Sequence, residues 1–309
     1  MARVSGSSLI LSLLLTLSWP SHAPAAGESS AAAPAQDLLL REQVIGAGQF
    51  GVSSTAASGF AGFMNPTALA AEGNTLFVAD QGLRRAFRVD LDRQEIAPVQ
   101  PLSGAAPRVR IGLARSWFLL PNSGNLVREF GPDGELRGEY RSVEFTQAVD
   151  ALREPVGGRI WVFDFTGTMH EFSAGGSLLR SRRVLADQGT TIEAATAGRH
   201  YVYVLDRSCA CIIELDQHGL PMRTIADGEL AFASDLAVDA YGRIWVSHRD
   251  RSRLVLIDTD ESVRPVDLRA LGLHQVSAVA IADDRLFAAD PTSASVVVFR
   301  LLPPATERR

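Results

Sequence analysis

After its first 20 or so residues the sequence has no apolar run long enough to cross a membrane as a helix. It has no Gly-x-Ser-x-Gly elbow, no Walker loop, no dinucleotide fingerprint and no His-Glu-x-x-His pair. The hydrolases, nucleotide-binding enzymes and metalloproteases that carry those motifs therefore find no support here. Cysteine is scarce, with 2 residues in 309, and two thiolates alone fall short of a four-ligand zinc site. No window shows a long amphipathic helical period. Strong positive charge is missing too: the formal net charge is -5. Mild acidity favours solubility and argues against nonspecific nucleic-acid binding.

What the sequence does have is a repeat. Leu76-Phe77-Val78-Ala79-Asp80, Phe118-Leu119-Leu120-Pro121-Asn122, Ile160-Trp161-Val162-Phe163-Asp164, Val202-Tyr203-Val204-Leu205-Asp206, Ile244-Trp245-Val246-Ser247-His248 and Leu286-Phe287-Ala288-Ala289-Asp290 stand 42 residues apart. Periods of about 40–50 residues suit propeller blades. Each unit reads as four short strands, because continuous apolar runs suit strands covered on both faces. Between them stand turn signals such as Asp133-Gly134, Gly175-Gly176, His218-Gly219 and Asp283-Asp284. The sixth unit runs out before its fourth strand, while Arg41-Glu42-Gln43-Val44-Ile45 is a spare strand ahead of the first. The expected fold is an all-β, six-bladed propeller whose ring closes when that N-terminal strand joins the last blade. Such closure removes exposed sheet edges.

The amino terminus has Arg3, an apolar stretch from Leu9 to Trp19, Pro20 and then Ala23-Pro24-Ala25-Ala26. That order is the charged, hydrophobic and small-residue sequence of a secretory signal peptide. Residues 1–25 are expected to be this signal and 26–40 an Ala/Ser-rich flexible tether. Residues 41–302 form the single propeller, and 303–309 a C-terminal tail. An exported protein, periplasmic or extracellular, monomeric and without a membrane span, is the expectation.

Gly59-Phe60-Ala61-Gly62-Phe63-Met64-Asn65-Pro66-Thr67-Ala68-Leu69-Ala70, followed by Gly73-Asn74-Thr75-Leu76-Phe77-Val78-Ala79-Asp80, resembles the NHL-type six-bladed propellers. Asp235-Leu236-Ala237-Val238-Asp239 with Gly242-Arg243-Ile244-Trp245-Val246 repeats the theme. The resemblance covers roughly residues 41–302 and departs most in the second unit, at Pro121-Asn122. It implies the fold and leaves function open, since the family includes binding scaffolds, lyases and lactonase relatives. The acidic Glu-Gly-Pro of lactonase-like propellers has no match; Asn65-Pro66-Thr67 stands in its place. Lyase relatives use several metal-binding histidines, for which His248 alone is a candidate.

In a propeller the loops leading into the inner strands share one face with those joining second to third strands. Stepping by 42 puts Thr67, Val109, Ala151, Glu193, Asp235 and Ser277 at the inner-strand starts, with Asp150 one residue before that set. Glu193 and Asp235, on adjacent blades, are its only acids and the expected ligands of any divalent metal such as calcium, an ion that wants about 6–8 oxygens. The recurrent Asp80, Asp164, Asp206 and Asp290 read as turn residues, because a short acidic side chain accepts hydrogen bonds from a following turn. His248 breaks that series. Arg84, Arg85, Arg207, Arg249, Arg251 and Arg253 enrich the second-to-third-strand loops and suit carboxylate or phosphate groups. Cys209-Ala210-Cys211, taken as lying on a strand, spaces its two thiols awkwardly for a disulfide. It is read chiefly as structural, with a strained local disulfide, a redox pair or a soft-metal site as alternatives.

The function expected from these residues is a noncatalytic scaffold that presents its loop face to a protein, peptide or glycan. No cofactor is required for it. The alternative is a metal-dependent hydrolase or lyase at the channel mouth.

Overall fold

A computed structural model describes residues 34–46, 62–102, 108–111, 116–120, 125–185, 191–248, 250 and 252–304. The expected signal peptide, residues 1–25, lies outside them. A short 3-10 turn, Ala35–Leu38, leads into β1 (Leu39–Gly46). Blade 1 holds β2 (Pro66–Glu72), β3 (Thr75–Asp80), β4 (Arg85–Asp90) and β5 (Glu95–Pro101). Blade 2 holds β6 (Arg108–Ile111), β7 (Trp117–Leu120), β8 (Leu126–Phe130) and β9 (Leu136–Arg141). Blade 3 follows with β10 (Ala148–Arg153), β11 (Ile160–Asp164), β12 (Thr168–Phe172) and β13 (Leu178–Arg183). Blade 4 has β14 (Ile192–Ala197), β15 (Val202–Asp206), β16 (Cys211–Leu215) and β17 (Pro221–Ile225). In blade 5 are β18 (Ala233–Val238), β19 (Ile244–His248), β20 (Leu254–Ile257) and β21 (Val263–Pro265). Blade 6 contributes β22 (Ala278–Ala282), β23 (Arg285–Asp290) and β24 (Ser295–Leu301).

Every sheet is an antiparallel meander, and the sixth is completed by β1 in the order β1-β24-β23-β22. Leu39 lies opposite Leu301 and Ile45 opposite Val296, so the first and last strands of the ring share one ladder. The spare strand and the truncated sixth unit thus meet as expected. The strand begins at Leu39, however, and Ala35, Leu38 and Leu39 are buried against blades 5 and 6. Residues 35–40 of the expected tether therefore belong to the packed ring. The departure at Pro121-Asn122 does not abolish the second blade, whose four strands are all present.

Alternate side chains along each second strand point to opposite neighbours. Leu76 and Val78 pack toward blade 6, whereas Phe77 and Ala79 pack toward blade 2. Ile244 and Val246 face blade 4, and Trp245 faces blade 6. Six buried clusters result, one between each pair of neighbouring blades. This is why the runs are apolar throughout instead of alternating. Trp117 shows the packing: its ring stacks between Phe77 and Phe130, with centroids 5.1 and 5.0 Å away, and its Nε1 donates to the Gly131 carbonyl. Arg243 is fully buried at the closing seam, where Nε donates to Asp239 Oδ2 and Nη1 to the Leu302 carbonyl.

Candidate functional site

The inner strands all run the same way along the axis, so the channel has an upper face, where they begin, and a lower face, where they end. The strand-end carboxylates sit just under the upper face and are consumed locally. Asp80 accepts the amides of Met64 at 2.7 Å, Asn65 at 3.0 Å and Leu83 at 2.9 Å. Asp290 does the same for His274 and Thr292. Each ties a loop leading into its own blade to a second-to-third-strand turn, as the repeat implies. His248 occupies the corresponding place in blade 5, is 1 % exposed and has no hydrogen-bond partner at either ring nitrogen. Burial, then the nearby Arg253 cation, holds its pKa below the ordinary value.

On the axis, the ladders correct the equal-step reading. In β10 a bulge precedes Asp150, which lies opposite Phe163; in β18 a bulge precedes Asp235, which lies opposite Ser247. Asp150, not Ala151, is therefore the counterpart of Asp235, and Glu193 occupies the irregular position of β14. β6 supplies two arginines that sequence reasoning missed. Arg110 donates through Nε and Nη2 to Asp150 at 2.8–3.1 Å, and through Nη2 to Asp235 Oδ1 at 2.5 Å. Arg108 reaches further, with Nη1 3.2 Å from Asp235 Oδ1 and Nη2 donating to the carbonyls of Glu193 and Ser234. Burial by itself would lower the Arg110 pKa, but the charges of Asp150 and Asp235 outweigh it and hold the guanidinium protonated.

Two cations thus neutralise two anions, and backbone amides take more of the carboxylates' lone pairs: Ala195 donates to Asp150 and Leu236 to Asp235. The two acids expected as a metal pair are engaged differently here. Asp235 is engaged by two guanidiniums, and Glu193 offers its backbone carbonyl to Arg108. A divalent cation at this place would meet two fixed positive charges.

The remaining candidates are spread around the upper face. Thr67 Oγ1 donates to the Ala79 carbonyl and Ser277 Oγ to the Pro66 carbonyl, both structural bonds between neighbouring strands. Arg84 and Arg85 are exposed on blade 1, while Arg207 and Arg253 are exposed on blades 4 and 5 across the ring. They do not form one cluster. Arg249 and Arg251 lie outside the described residues. The same face exposes Met64, Leu83, Val143, Phe165 and Phe232, the last 73 % exposed with a left-handed φ of 65°. A bulky residue at positive φ is a strained position.

Cys209 and Cys211 form a disulfide, with Cα atoms 5.2 Å apart. The strand geometry expected for them does not hold: Cys209 lies in the turn before β16, and Ala210 between them takes a φ of 51°. That turn shortens the separation into the range a disulfide spans. Asp206 lies close enough to both sulfurs to complete a three-ligand group. Sulfurs joined to each other, though, are not the thiolates that bind metal.

The lower half of the channel is open. A cavity of about 310 Å³ lies below Arg110, lined by the second halves of the inner strands. Glu72, at the end of β2, and Arg153, at the end of β10, are the other charged groups among the described residues of its wall.

No family model and no curated protein matches this chain. Solved structures do. Virginiamycin B lyase from Staphylococcus aureus superposes with a TM-score of 0.59 at 10 % identity, over 77 % of this chain and 96 % of the lyase chain. An auxiliary nutrient binding protein from Bacteroides thetaiotaomicron gives a TM-score of 0.58 at 10 % identity, over 77 % and 70 % of the two chains. The WD40 β-propeller domain of Doa1 gives 0.58 at 8 % identity, over 84 % and 96 %. What they share with this chain is the propeller fold. At these identities the likeness carries no chemistry with it.

Proposed function

We propose that this is an exported, NHL-like propeller without catalytic activity, which uses its upper loop face to hold a protein or peptide partner. The carrying observation is the Arg108–Arg110–Asp150–Asp235 network: the acids that a channel-mouth enzyme would need are spent on holding the ring together. What remains on that face for a partner is the set of exposed apolar side chains, with Phe232 foremost, and the exposed arginines. Exposed aromatic and arginine side chains are the groups that anchor protein interfaces. The Cys209–Cys211 disulfide supports export, because such bonds persist in oxidising compartments. One of the structural neighbours is an auxiliary nutrient binding protein, which is in keeping with a binding role.

The test compares Phe232→Asp and Leu83→Asp with a lower-face control, Val156→Asp, for binding to arrays of acidic and apolar peptides. Loss of binding with the first two and retention with the third is the expected result. Binding of glycans in place of peptides would move the reading to the notion of a lectin-like scaffold. Turnover of esters or lactones that is lost on chelation or in Asp235→Ala, with the fold intact, would overturn it in favour of a hydrolase.

A further inference from the structure

We infer that the lower-channel cavity is a binding site for a small primary ammonium, with Glu72 as its counter-ion. Its volume, about 310 Å³, falls at the small end of the range for ligand pockets. Most of its described lining side chains are aliphatic, among them Ala71, Leu152, Ala197, Val238 and Ile281, with polar atoms of the strands between them.

Charge decides the class of ligand. Arg110 is matched by Asp150 and Asp235, which it shares with Arg108. Arg153 is matched by Glu129, with Nη2 2.8 Å from Oε1. Glu72 is the one acid among the described lining residues, and its buried Oε2 has no hydrogen-bond partner. Among the described lining residues, Glu72 is therefore the one charge without a counter-charge. A buried carboxylate oxygen without a donor is costly, and a ligand that supplies both positive charge and an N–H relieves that cost.

The wall excludes the alternatives. One carboxylate among aliphatic groups falls far short of the oxygen shell that calcium or magnesium takes. None of the described lining residues is aromatic, so they supply no ring cage of the kind that holds quaternary ammonium groups. An ammonium that donates to Glu72 and lays a short alkyl chain along the aliphatic wall fits both halves of the site.

The test uses the full chain with n-butylammonium chloride, and n-butanol, tetramethylammonium chloride and sodium chloride as controls at equal ionic strength. n-Butylammonium should raise the melting temperature progressively and give a calorimetric binding isotherm, while the controls do neither. Glu72→Gln should weaken n-butylammonium by about 10-fold or more, the value of a charge-assisted hydrogen bond. Ala197→Phe, at an exposed position on the cavity wall, should block binding without touching Glu72 and keeps the test open should Glu72→Gln misfold. No binding by the natural chain, equal binding by Glu72→Gln, or equal binding of n-butanol or tetramethylammonium would each overturn the inference. Peptide binding at the upper face is unaffected by either variant, so the two readings fail separately.

Discussion

Arg110 holds Asp150 and Asp235 with a single nitrogen, its Nη2 standing 2.8 Å from one carboxylate and 2.5 Å from the other. Those aspartates belong to blades 3 and 5 and the arginine to blade 2, so one guanidinium couples three blades at the centre of the ring. Arg110→Met would leave two buried carboxylates with Arg108 as the one described cation beside them. Removing one partner of a buried ion pair costs about 3–5 kcal/mol, and urea unfolding should show a loss of that size. Arg110→Lys should recover little of it, because a compact ammonium lacks the planar fork that spans both acids.

His248 makes stability depend on pH. Its folded pKa lies below the ordinary 6.5, chiefly through burial. As pH falls below about 6.5 the unfolded chain takes up a proton that the folded chain does not, so stability falls with it. His248→Asn should flatten this part of the profile. The acid-range losses from Glu129 and Asp164, whose pKa values lie below the ordinary 4.5 and 3.8, come lower on the scale and should persist. Melting temperatures measured from pH 7.5 to 5 separate the two.

Glu129 is the second buried anion whose surroundings make a sharp prediction. It accepts hydrogen bonds from the hydroxyls of Ser116 and Tyr140 and from Arg153. Burial and then the bond to Glu129 push the Tyr140 phenol above its ordinary pKa of 10.0. Tyr140→Phe removes one donor to a charged acceptor and should cost about 1.5–3 kcal/mol in chemical denaturation.

The disulfide should matter little to stability. Only Ala210 separates its cysteines, and a loop that short restricts the unfolded chain weakly. The Cys209→Ser/Cys211→Ser double variant should lose about 1–2 kcal/mol by the loop-entropy relation. A melt with and without reductant checks this directly.

The blades were readable in the sequence because both faces of each second strand are covered, which makes Ile160-Trp161-Val162 and its counterparts uniformly apolar. The closure was readable because a missing fourth strand and a spare first one imply each other. The axial network was not. Equal steps assume blades of equal internal length, yet the interval from the first paired position after the bulge to strand end differs between Ala68–Asp80, Asp150–Asp164 and Asp235–His248. The slip put Glu193 in the inner set and left Asp150 one residue outside it. A usable signal was nevertheless present: Arg108-Val109-Arg110 puts two charges on one face of an inner strand whose counterparts are largely small and apolar. The chain also contains no lysine, so every strong cation available to bridge carboxylates is a guanidinium. Glu72 could not be singled out, because its isolation is a property of the cavity and not of its neighbours in the chain.

The pairing of β1 with β24 also sets an order in time. Leu39 is made before all five other blades and its partner Leu301 after them, so the sixth sheet waits for everything between. Contacts between residues so far apart in sequence are slow to form, because most of the chain must be gathered first. During that interval blade 6 lacks its outer strand and β1 has no ladder, which leaves two strand edges open to other chains. Completion of the ring is therefore the late step in which the nascent protein exchanges a hazard of misassembly for a closed surface.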